Sequence, residues 1–126
     1  MTMDMTAGDH RLARLELRQV SKLLNGTTIV AGIDLTVAPG ESVVLLGPSG
    51  CGKTTTLRMV AGFIRPDGGE IYLNGKIASG ADTIVATERR QLGMVFQNYA
   101  VWPHKTVFEN VAYGLKVARR SRSEIQ

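Results

Sequence analysis

The sequence predicts an α/β domain in which an antiparallel β subdomain is followed by a strand, a glycine-rich loop and a helix. Residues 15–20 (LELRQV) and 33–37 (IDLTV) alternate apolar and polar side chains, whereas residues 42–46 (SVVLL) are almost continuously apolar. Alternation is typical of strands buried on one face, and a short continuous run is typical of a strand covered on both faces. Beyond the glycines, apolar residues recur at helical spacing: Leu57, Val60, Ala61 and Ile64.

Turn residues separate these elements. The Asn25-Gly26 pair lies between the first two alternating segments and predicts a β-hairpin. Pro39-Gly40 predicts a turn, so we expect residues 42–46 to form a central strand of a parallel sheet. The helix that follows should pack its apolar face on that sheet and end near Gly62.

The second half of the chain offers weaker signals. Residues 70–74 (EIYLN) predict a short strand ending in a second Asn-Gly pair, and residues 93–96 (GMVF) predict another short buried strand. Residues 75–87 have no clear period. Residues 106–116 predict a helix with one apolar stripe, formed by Val107, Val111 and Leu115.

Length and composition indicate one globular domain without a membrane span. The chain has 126 residues, of which 44% are hydrophobic, and no apolar run approaches the roughly 18 residues that a span requires. Residues 1–13 carry no apolar signal-peptide core, so we expect a disordered tail followed by a domain over residues 14–126. A single cysteine agrees with a reducing compartment, and a net charge of +4 falls short of a nucleic-acid signature.

The most specific motif is the glycine-rich loop, which fits G-x-x-x-x-G-K-[ST] at every fixed position. An apolar strand pattern precedes it and an amphipathic helix pattern follows it, as a phosphate-binding loop requires. Glycines let backbone N–H groups approach a polyphosphate closely, and the helix N-terminus favours anions. The predicted nucleotide-binding residues are Gly47, Pro48, Ser49, Gly50, Cys51, Gly52, Lys53, Thr54 and Thr55.

Within this loop three side chains have assigned chemistry. Lys53 would reach the β- and γ-phosphates, the Thr54 hydroxyl would bind Mg²⁺, and Thr55 would add a hydroxyl to the α-phosphate. The alternative is a glycine-rich turn that binds no ligand. Cys51 has no neighbouring histidine in the sequence, which favours an inert filler over a redox or nucleophilic role.

From about residue 15 to 115, the loop included, the sequence resembles the ATPase subunits of ATP-binding cassette (ABC) transporters. The resemblance rests on GPSGCGKTT, on LRMVAGFIRPDGGEIYLNG and on GMVFQNYAVWPHKTVFENVAYGL, and it is strongest to importers of ferric iron, polyamines and sugars. It implies a P-loop NTPase core, incomplete in this chain, with ATP and Mg²⁺ as cofactors. It also implies that Gln97 contacts Mg²⁺ and the attacking water, so Lys53 and Gln97 are the candidate catalytic residues.

The resemblance also implies partners and a location. Residues 97–104 would contact a permease, a second ATPase subunit would bind head to tail, and a solute-binding protein would act indirectly. Such a subunit lies peripherally on the cytoplasmic face of the membrane and binds no nucleic acid.

Trp102 either anchors a permease helix or is buried in its own domain, and His104 is interpreted as a loop residue. The arginines at 89, 90, 119, 120 and 122 are interpreted as solvated surface.

The sequence departs from this family in two respects. Leu24 stands where many members carry an aromatic residue that stacks on adenine, so the stacking contribution to base affinity is either missing or supplied by another group. Residues 1–126 also lack the LSGGQ signature, the Walker B carboxylates and the switch histidine. We therefore expect an ATPase by resemblance whose 126 residues do not hydrolyse ATP alone.

The sequence leaves three alternatives to the importer subunit. They are a nucleotide-binding fragment without hydrolytic activity, a cassette ATPase of DNA repair or translation, and a small GTPase. The modest net charge and the sequence around Gln97 disfavour the second, and the missing N-K-x-D motif disfavours the third. The transported solute is not specified by these residues.

Overall fold

The computed structural model describes residues 13–126, so nearly all of the predicted tail lies outside the described residues. Ala13, the last residue of the predicted tail, is described and is buried. The chain divides into two compact units, with the boundary between Leu92 and Gly93. Each unit is described by itself.

The first unit is built on a four-stranded antiparallel sheet. Its strands are β1 (Leu15–Leu24), β2 (Thr27–Val37), β3 (Gly68–Leu73) and β4 (Lys76–Ser79), in the spatial order β2-β1-β3-β4. The predicted strands at residues 15–20, 33–37 and 70–74 are confirmed. Strand β4 falls in a segment where the sequence shows no clear period.

Both Asn-Gly pairs form the tight turns that join these strands. Asn25 and Gly26 have φ values of 50° and 77°, and Asn74 and Gly75 have φ values of 50° and 73°. Two consecutive left-handed residues match the twist of the flanking strands, which is why Asn-Gly is favoured here. The hairpin predicted at Asn25-Gly26 is therefore confirmed. The second Asn-Gly pair ends its strand as predicted, and it also turns the chain into β4.

The connection from β2 to β3 carries the glycine loop. Since β2 and β3 both pair antiparallel with β1 and lie on either side of it, they run parallel to each other. Residues 38–67 join them as a crossover and include α1 (Lys53–Ala61). Gly62 ends α1 in a left-handed conformation with φ 93°, and its N–H bonds the carbonyls of Arg58 and Met59. This is the helix end that the sequence predicts.

The core lies between α1 and the sheet. Its buried members are Leu17, Val20, Val30, Met59, Ile71, Leu73 and Ala78. Helix α1 contributes Thr56, Met59 and Ala61 as its buried residues, while Leu57 is 52% exposed. The predicted apolar face is thus wrong at Leu57, because the fully buried Met59 decides which side of the helix meets the sheet.

Two predicted strands do not form. Residues 42–46 and 93–96 have no strand partner within the described part of the chain, and Val44, Leu46 and Val95 are 75%, 89% and 95% exposed. A strand exists only where a neighbouring chain segment completes its hydrogen-bond ladder. Apolar content alone therefore does not make these segments strands.

The second unit contains α2 (Val107–Val117) and α3 (Arg122–Ile125). Helix α2 confirms the prediction for residues 106–116. Its predicted stripe is exposed, with Val107 and Val111 at 83% and 78%, and Ala112 is its buried residue. Across residues 13–126, none of the helices combines the length and the apolar character needed to cross a membrane.

Candidate functional site

The glycine loop is curled around the amino end of α1. Gly50 and Gly52 adopt φ values of 81° and 94°, and the N–H of Cys51 bonds the carbonyl of Pro48 at 3.3 Å. Left-handed conformations at both glycines turn the chain back on itself without steric cost. The loop is therefore a compact turn rather than an extended segment.

Lys53 bonds back onto the loop. Its Nζ donates to the carbonyl of Gly47 at 2.6 Å and to the carbonyl of Pro48 at 2.7 Å. It also lies 3.3 Å from the Sγ of Cys51. These contacts hold an ammonium group inside the curl of the loop.

Helix α1 begins at Lys53. Gly52 is the N-cap residue and offers no side-chain acceptor. Its carbonyl accepts a hydrogen bond from the Thr56 N–H at 2.8 Å. A helix leaves its first amides without intrahelical acceptors and carries a partial positive charge at that end. The amides of Lys53, Thr54 and Thr55 therefore suit an anion, and the exposed Thr54 side chain stands among them.

Two glycines of the loop are crowded by neighbouring atoms, and Gly52 is also required by its left-handed conformation. A Cβ atom at Gly52 would lie 2.7 Å from the carbonyl oxygen of Ile29 and 3.0 Å from Cγ2 of Val30. A Cβ atom at Gly47 would lie 2.5 Å from the Sγ of Cys51. The contact at Gly52 places the start of α1 directly against β2.

A cleft of about 670 Å³ opens beside the loop. Strand β2 contributes half of its lining residues, and the loop, Leu45 and Leu46 contribute most of the others. Its lining residues are Gln19, Ile29, Val30, Ala31, Gly32, Ile33, Asp34, Leu35, Leu45, Leu46, Cys51, Gly52, Lys53 and Thr56. The cleft is thus mostly apolar, with Lys53 and Asp34 as its charged residues.

Leu24, the position of the expected adenine contact, is the last residue of β1 and is 43% exposed. The strand end beside it is tied to Asp67, which accepts bonds from the Leu23 N–H at 2.8 Å and the Lys22 Nζ at 3.0 Å. These two bonds hold the pKa of Asp67 below its ordinary value, and the bond from the Leu23 amide has the larger effect. Asp67 therefore fixes the end of β1 that carries Leu24.

Gln97 belongs to the second unit, where it is exposed at the start of the turn over residues 97–100. The loop after it is organised by Asn110 of α2, a residue that sequence reasoning missed because an asparagine within a helix carries no clear signal. The Asn110 side chain accepts from the Trp102 N–H at 2.8 Å and donates to the carbonyls of Trp102, Lys105 and Thr106.

Aromatic and charged side chains gather on this loop. The ring centroid of Trp102 lies 5.4 Å from that of Tyr113 and 6.0 Å from that of His104, and Lys105 Nζ lies 5.7 Å from the Tyr113 ring centroid. Trp102 keeps 44% of its surface exposed. It is therefore neither fully buried nor isolated.

We expect α2 to lose stability in acid. Glu109 accepts bonds from the Thr106 N–H at 2.9 Å and from its hydroxyl at 3.0 Å, and these bonds lower the pKa of Glu109. A lowered pKa stabilises the folded form above the ordinary value of about 4.5, and this contribution is lost as the pH falls through the folded pKa. An acid titration of the α2 amide resonances should show the loss. Glu109→Gln should flatten it and Glu88→Gln, outside α2, should not.

One sequence interpretation was wrong at a single arginine. Arg89 is exposed as expected, whereas Arg90 is only 4% exposed and is fully hydrogen-bonded beneath α1. The pair was indistinguishable in the sequence, because nothing in two adjacent arginines indicates which one turns inward. The arginines at 119, 120 and 122 are exposed, as predicted.

Similarity to solved structures defines the class of fold. The ATP-binding cassette MJ0796, in a dimeric post-hydrolysis state bound to ADP and Pi, superposes with a TM-score of 0.73 at 29% identity, over 88% of this chain and 52% of that one. The cbiO1 protein of Clostridium perfringens, part of the ABC transporter complex cbiONQ, has the same fold with a TM-score of 0.74 at 23% identity, over 90% and 46%. The chain therefore folds as part of an ABC ATPase nucleotide-binding domain.

The chain belongs to the ABC transporter family, whose model matches residues 30–126. It is 50% identical over 113 residues to the spermidine/putrescine import ATP-binding protein PotA of Spiroplasma citri, covering 89% of this chain and 31% of that relative. It is 47% identical over 116 residues to the sn-glycerol-3-phosphate import ATP-binding protein UgpC of Cupriavidus metallidurans, covering 91% and 30%. The chain thus spans less than a third of the length of these relatives.

Proposed function

We propose that this chain is the N-terminal part of the ATP-binding subunit of an ABC importer. It binds MgATP through residues 47–55, and the whole protein couples ATP hydrolysis to solute uptake across the membrane. The names of its relatives, PotA and UgpC, support import as the process. Those two relatives are import ATP-binding proteins for different solutes, at similar identity to this chain, which supports a cargo chosen by partner proteins.

The observation that carries this proposal is the curl of the loop against the start of α1. Left-handed Gly50 and Gly52, the amides of the first helical turn and the Lys53 ammonium all lie within one short segment. A polyphosphate needs such an array of N–H donors and positive charge without intervening side chains. A ligand-free glycine turn would not need a lysine bonded into it.

Lys53 would exchange its partners when nucleotide binds. Its Nζ now donates to two neutral carbonyls, and phosphate oxygens are stronger acceptors because they are charged. The long lysine stem allows this movement without a change in the helix. We therefore assign Lys53 to the β- and γ-phosphates.

Mg²⁺ fits the donor set at the start of α1. The exposed Thr54 carries a neutral hydroxyl at the second helical residue, which suits a hard cation that keeps most of its ligands as water and phosphate. Thr54 would hold the ion, and the ion would neutralise charge on the transferred phosphate. Gln97 keeps the metal-contacting role that its resemblance to the family implies. Thr55 is assigned to the α-phosphate.

The partners follow from the second unit. Residues 97–104 present a half-exposed Trp102 against Tyr113, and an aromatic side chain of this kind is typical of an anchor for a partner helix. We assign this loop to the permease, with a second ATPase subunit binding head to tail and a solute-binding protein acting indirectly. The subunit would therefore work at the cytoplasmic face of the membrane.

Titration of the purified chain with ATP tests the proposal directly. We expect saturable binding that strengthens with Mg²⁺ and that is followed by calorimetry or by displacement of a fluorescent ATP analogue. Turnover of radiolabelled ATP, measured in parallel, separates an active ATPase from a fragment that only binds nucleotide. A chain that is folded and yet binds no ATP would refute the proposal.

Alkylation of Cys51 is expected to block nucleotide binding. The exposed thiol lies 3.3 Å from Lys53 Nζ and packs against Gly47, so an adduct would fill the curl of the loop. Treatment with N-ethylmaleimide, followed by mass spectrometry and ATP titration, checks this. Cys51→Ala is the control, because it should bind ATP and resist the reagent. Unchanged binding after complete modification would contradict the assigned loop geometry.

A further inference from the structure

The side chain of Arg90 uses every hydrogen-bond donor it has. Nε donates to the Val85 carbonyl at 2.9 Å, and Nη1 donates to the carbonyls of Met59 and Val60 at 3.1 and 2.8 Å. Nη2 donates to the Ala78 carbonyl at 3.1 Å and to the Ser79 hydroxyl at 2.7 Å. A guanidinium group has five N–H donors in a rigid fork, and here all five are matched.

These acceptors belong to three separate parts of the first unit. Met59 and Val60 lie in the last turn of α1, Ala78 and Ser79 lie in β4, and Val85 follows β4 in the sequence. The last carbonyls of a helix lack intrahelical donors and carry partial negative charge, so a buried cation is favourable there. Arg90 therefore joins the carboxyl end of α1 to the edge of the sheet.

Gly62 is shaped to admit this guanidinium. A Cβ atom at Gly62 would lie 2.5 Å from Nε and 2.9 Å from Cζ of Arg90. The glycine that ends α1 is thus also the residue that lets Arg90 reach the helix carbonyls. Burial disfavours the charged form and lowers the pKa of Arg90, so the five bonds offset a real cost of desolvation.

Helix α1 connects Arg90 to the phosphate loop. Its nine residues span about 13 Å as one rigid rod, with Lys53 at the first residue and Met59 and Val60 in the last turn. A rod held at its carboxyl end cannot tilt without moving its amino end. The position of the first-turn amides therefore depends on what fixes the last turn.

We infer that Arg90 is a positioning residue for the phosphate-binding loop, because its forked guanidinium fixes the axis of α1 against β4. This inference rests on the proposed function. The fork is required as well as the charge, since a lysine at this position has only three donors on one nitrogen and cannot span three groups of acceptors. Lysine is therefore not expected to rescue the role.

The test compares Arg90→Lys with Arg89→Lys, its exposed neighbour. In the nucleotide-free chain, ¹H–¹⁵N correlation spectra report on the amides of residues 52–55. A urea titration measures stability, and an ATP titration measures the Kd for MgATP. We expect Arg90→Lys to shift those amide resonances and to raise the Kd about tenfold, and Arg89→Lys to do neither. A purely stabilising role would lower the urea midpoint and leave the resonances of the folded form in place.

Ser79→Ala keeps the test decisive if Arg90→Lys does not fold. It removes one of the five acceptors and leaves Arg90 present, so we expect a smaller shift of the same amides in the same direction. A folded Arg90→Lys, or failing that a folded Ser79→Ala, with wild-type amides and wild-type Kd would overturn the inference. Absence of MgATP binding by the wild-type chain would refute the proposed function instead, and the nucleotide-free spectra would still decide the role of Arg90.

Discussion

Replacing Lys53 with methionine is expected to weaken MgATP binding by roughly 30- to 150-fold, which corresponds to about 2 to 3 kcal/mol. Methionine keeps an unbranched stem of similar length and removes the ammonium that donates to the Gly47 and Pro48 carbonyls. A hydrogen bond to a charged phosphate is worth more than one to a neutral carbonyl, so the bound state loses more than the free state. Calorimetric titration of both chains with MgATP measures the difference.

Lys76→Met is the matched control for this prediction. It removes the same charge from an exposed position at the start of β4. If both substitutions weakened MgATP binding equally, the effect would arise from net charge and the assignment of Lys53 would fail. Measurement at two salt concentrations adds to the comparison, because a distant surface charge is screened more strongly than a direct contact.

The second large effect is expected for Gly52→Ala, which should cost about 2 to 5 kcal/mol of folding free energy and abolish detectable MgATP binding. The left-handed conformation at φ 94° is strained for alanine, and its Cβ would lie 2.7 Å from the Ile29 carbonyl oxygen. That oxygen belongs to the backbone of β2, between the paired residues Thr28 and Val30, and cannot move aside as a flexible side chain would. Urea denaturation and ATP titration measure the two parts of the effect.

Gly50→Ala separates strain from contact. Gly50 has nearly the same conformation, with φ 81°, but a Cβ there would meet no atom within 4 Å. We expect it to cost only about 1 to 2 kcal/mol, the penalty for a left-handed residue. Equal losses in Gly50→Ala and Gly52→Ala would show that the packing of the loop on β2 contributes nothing.

Much of the fold could be predicted because its signals are local. Each Asn-Gly pair specifies a tight turn, and Gly62 specifies the end of α1. The loop that begins at Gly47 was found in the same way. In these cases a few adjacent residues determine the backbone conformation.

The failures concern relations between distant segments. Residues 42–46 have the composition of a buried strand, and their ladder depends on neighbours that a local pattern does not contain. Leu57 and Met59 are both apolar, and only the packing on the sheet decides that Met59 is buried. Arg90 is the clearest case, since its five acceptors lie between 5 and 31 residues away in the sequence.

The crossover between Val37 and Gly68 joins two strands, β2 and β3, that lie on opposite sides of β1. Because β1 is laddered to β2 on one side and to β3 on the other, those two strands lie two strand spacings apart, about 9 to 10 Å, and cannot separate without breaking a ladder. The crossover leaves β2 opposite Leu15 and enters β3 opposite Ser21, so it also runs roughly 20 Å along the direction of β1. A change of shape imposed on the crossover is therefore absorbed in residues 38–51, which form neither helix nor strand, because Arg90 ties the carboxyl end of α1 to β4. That segment is where the first unit can change shape while its sheet stays intact.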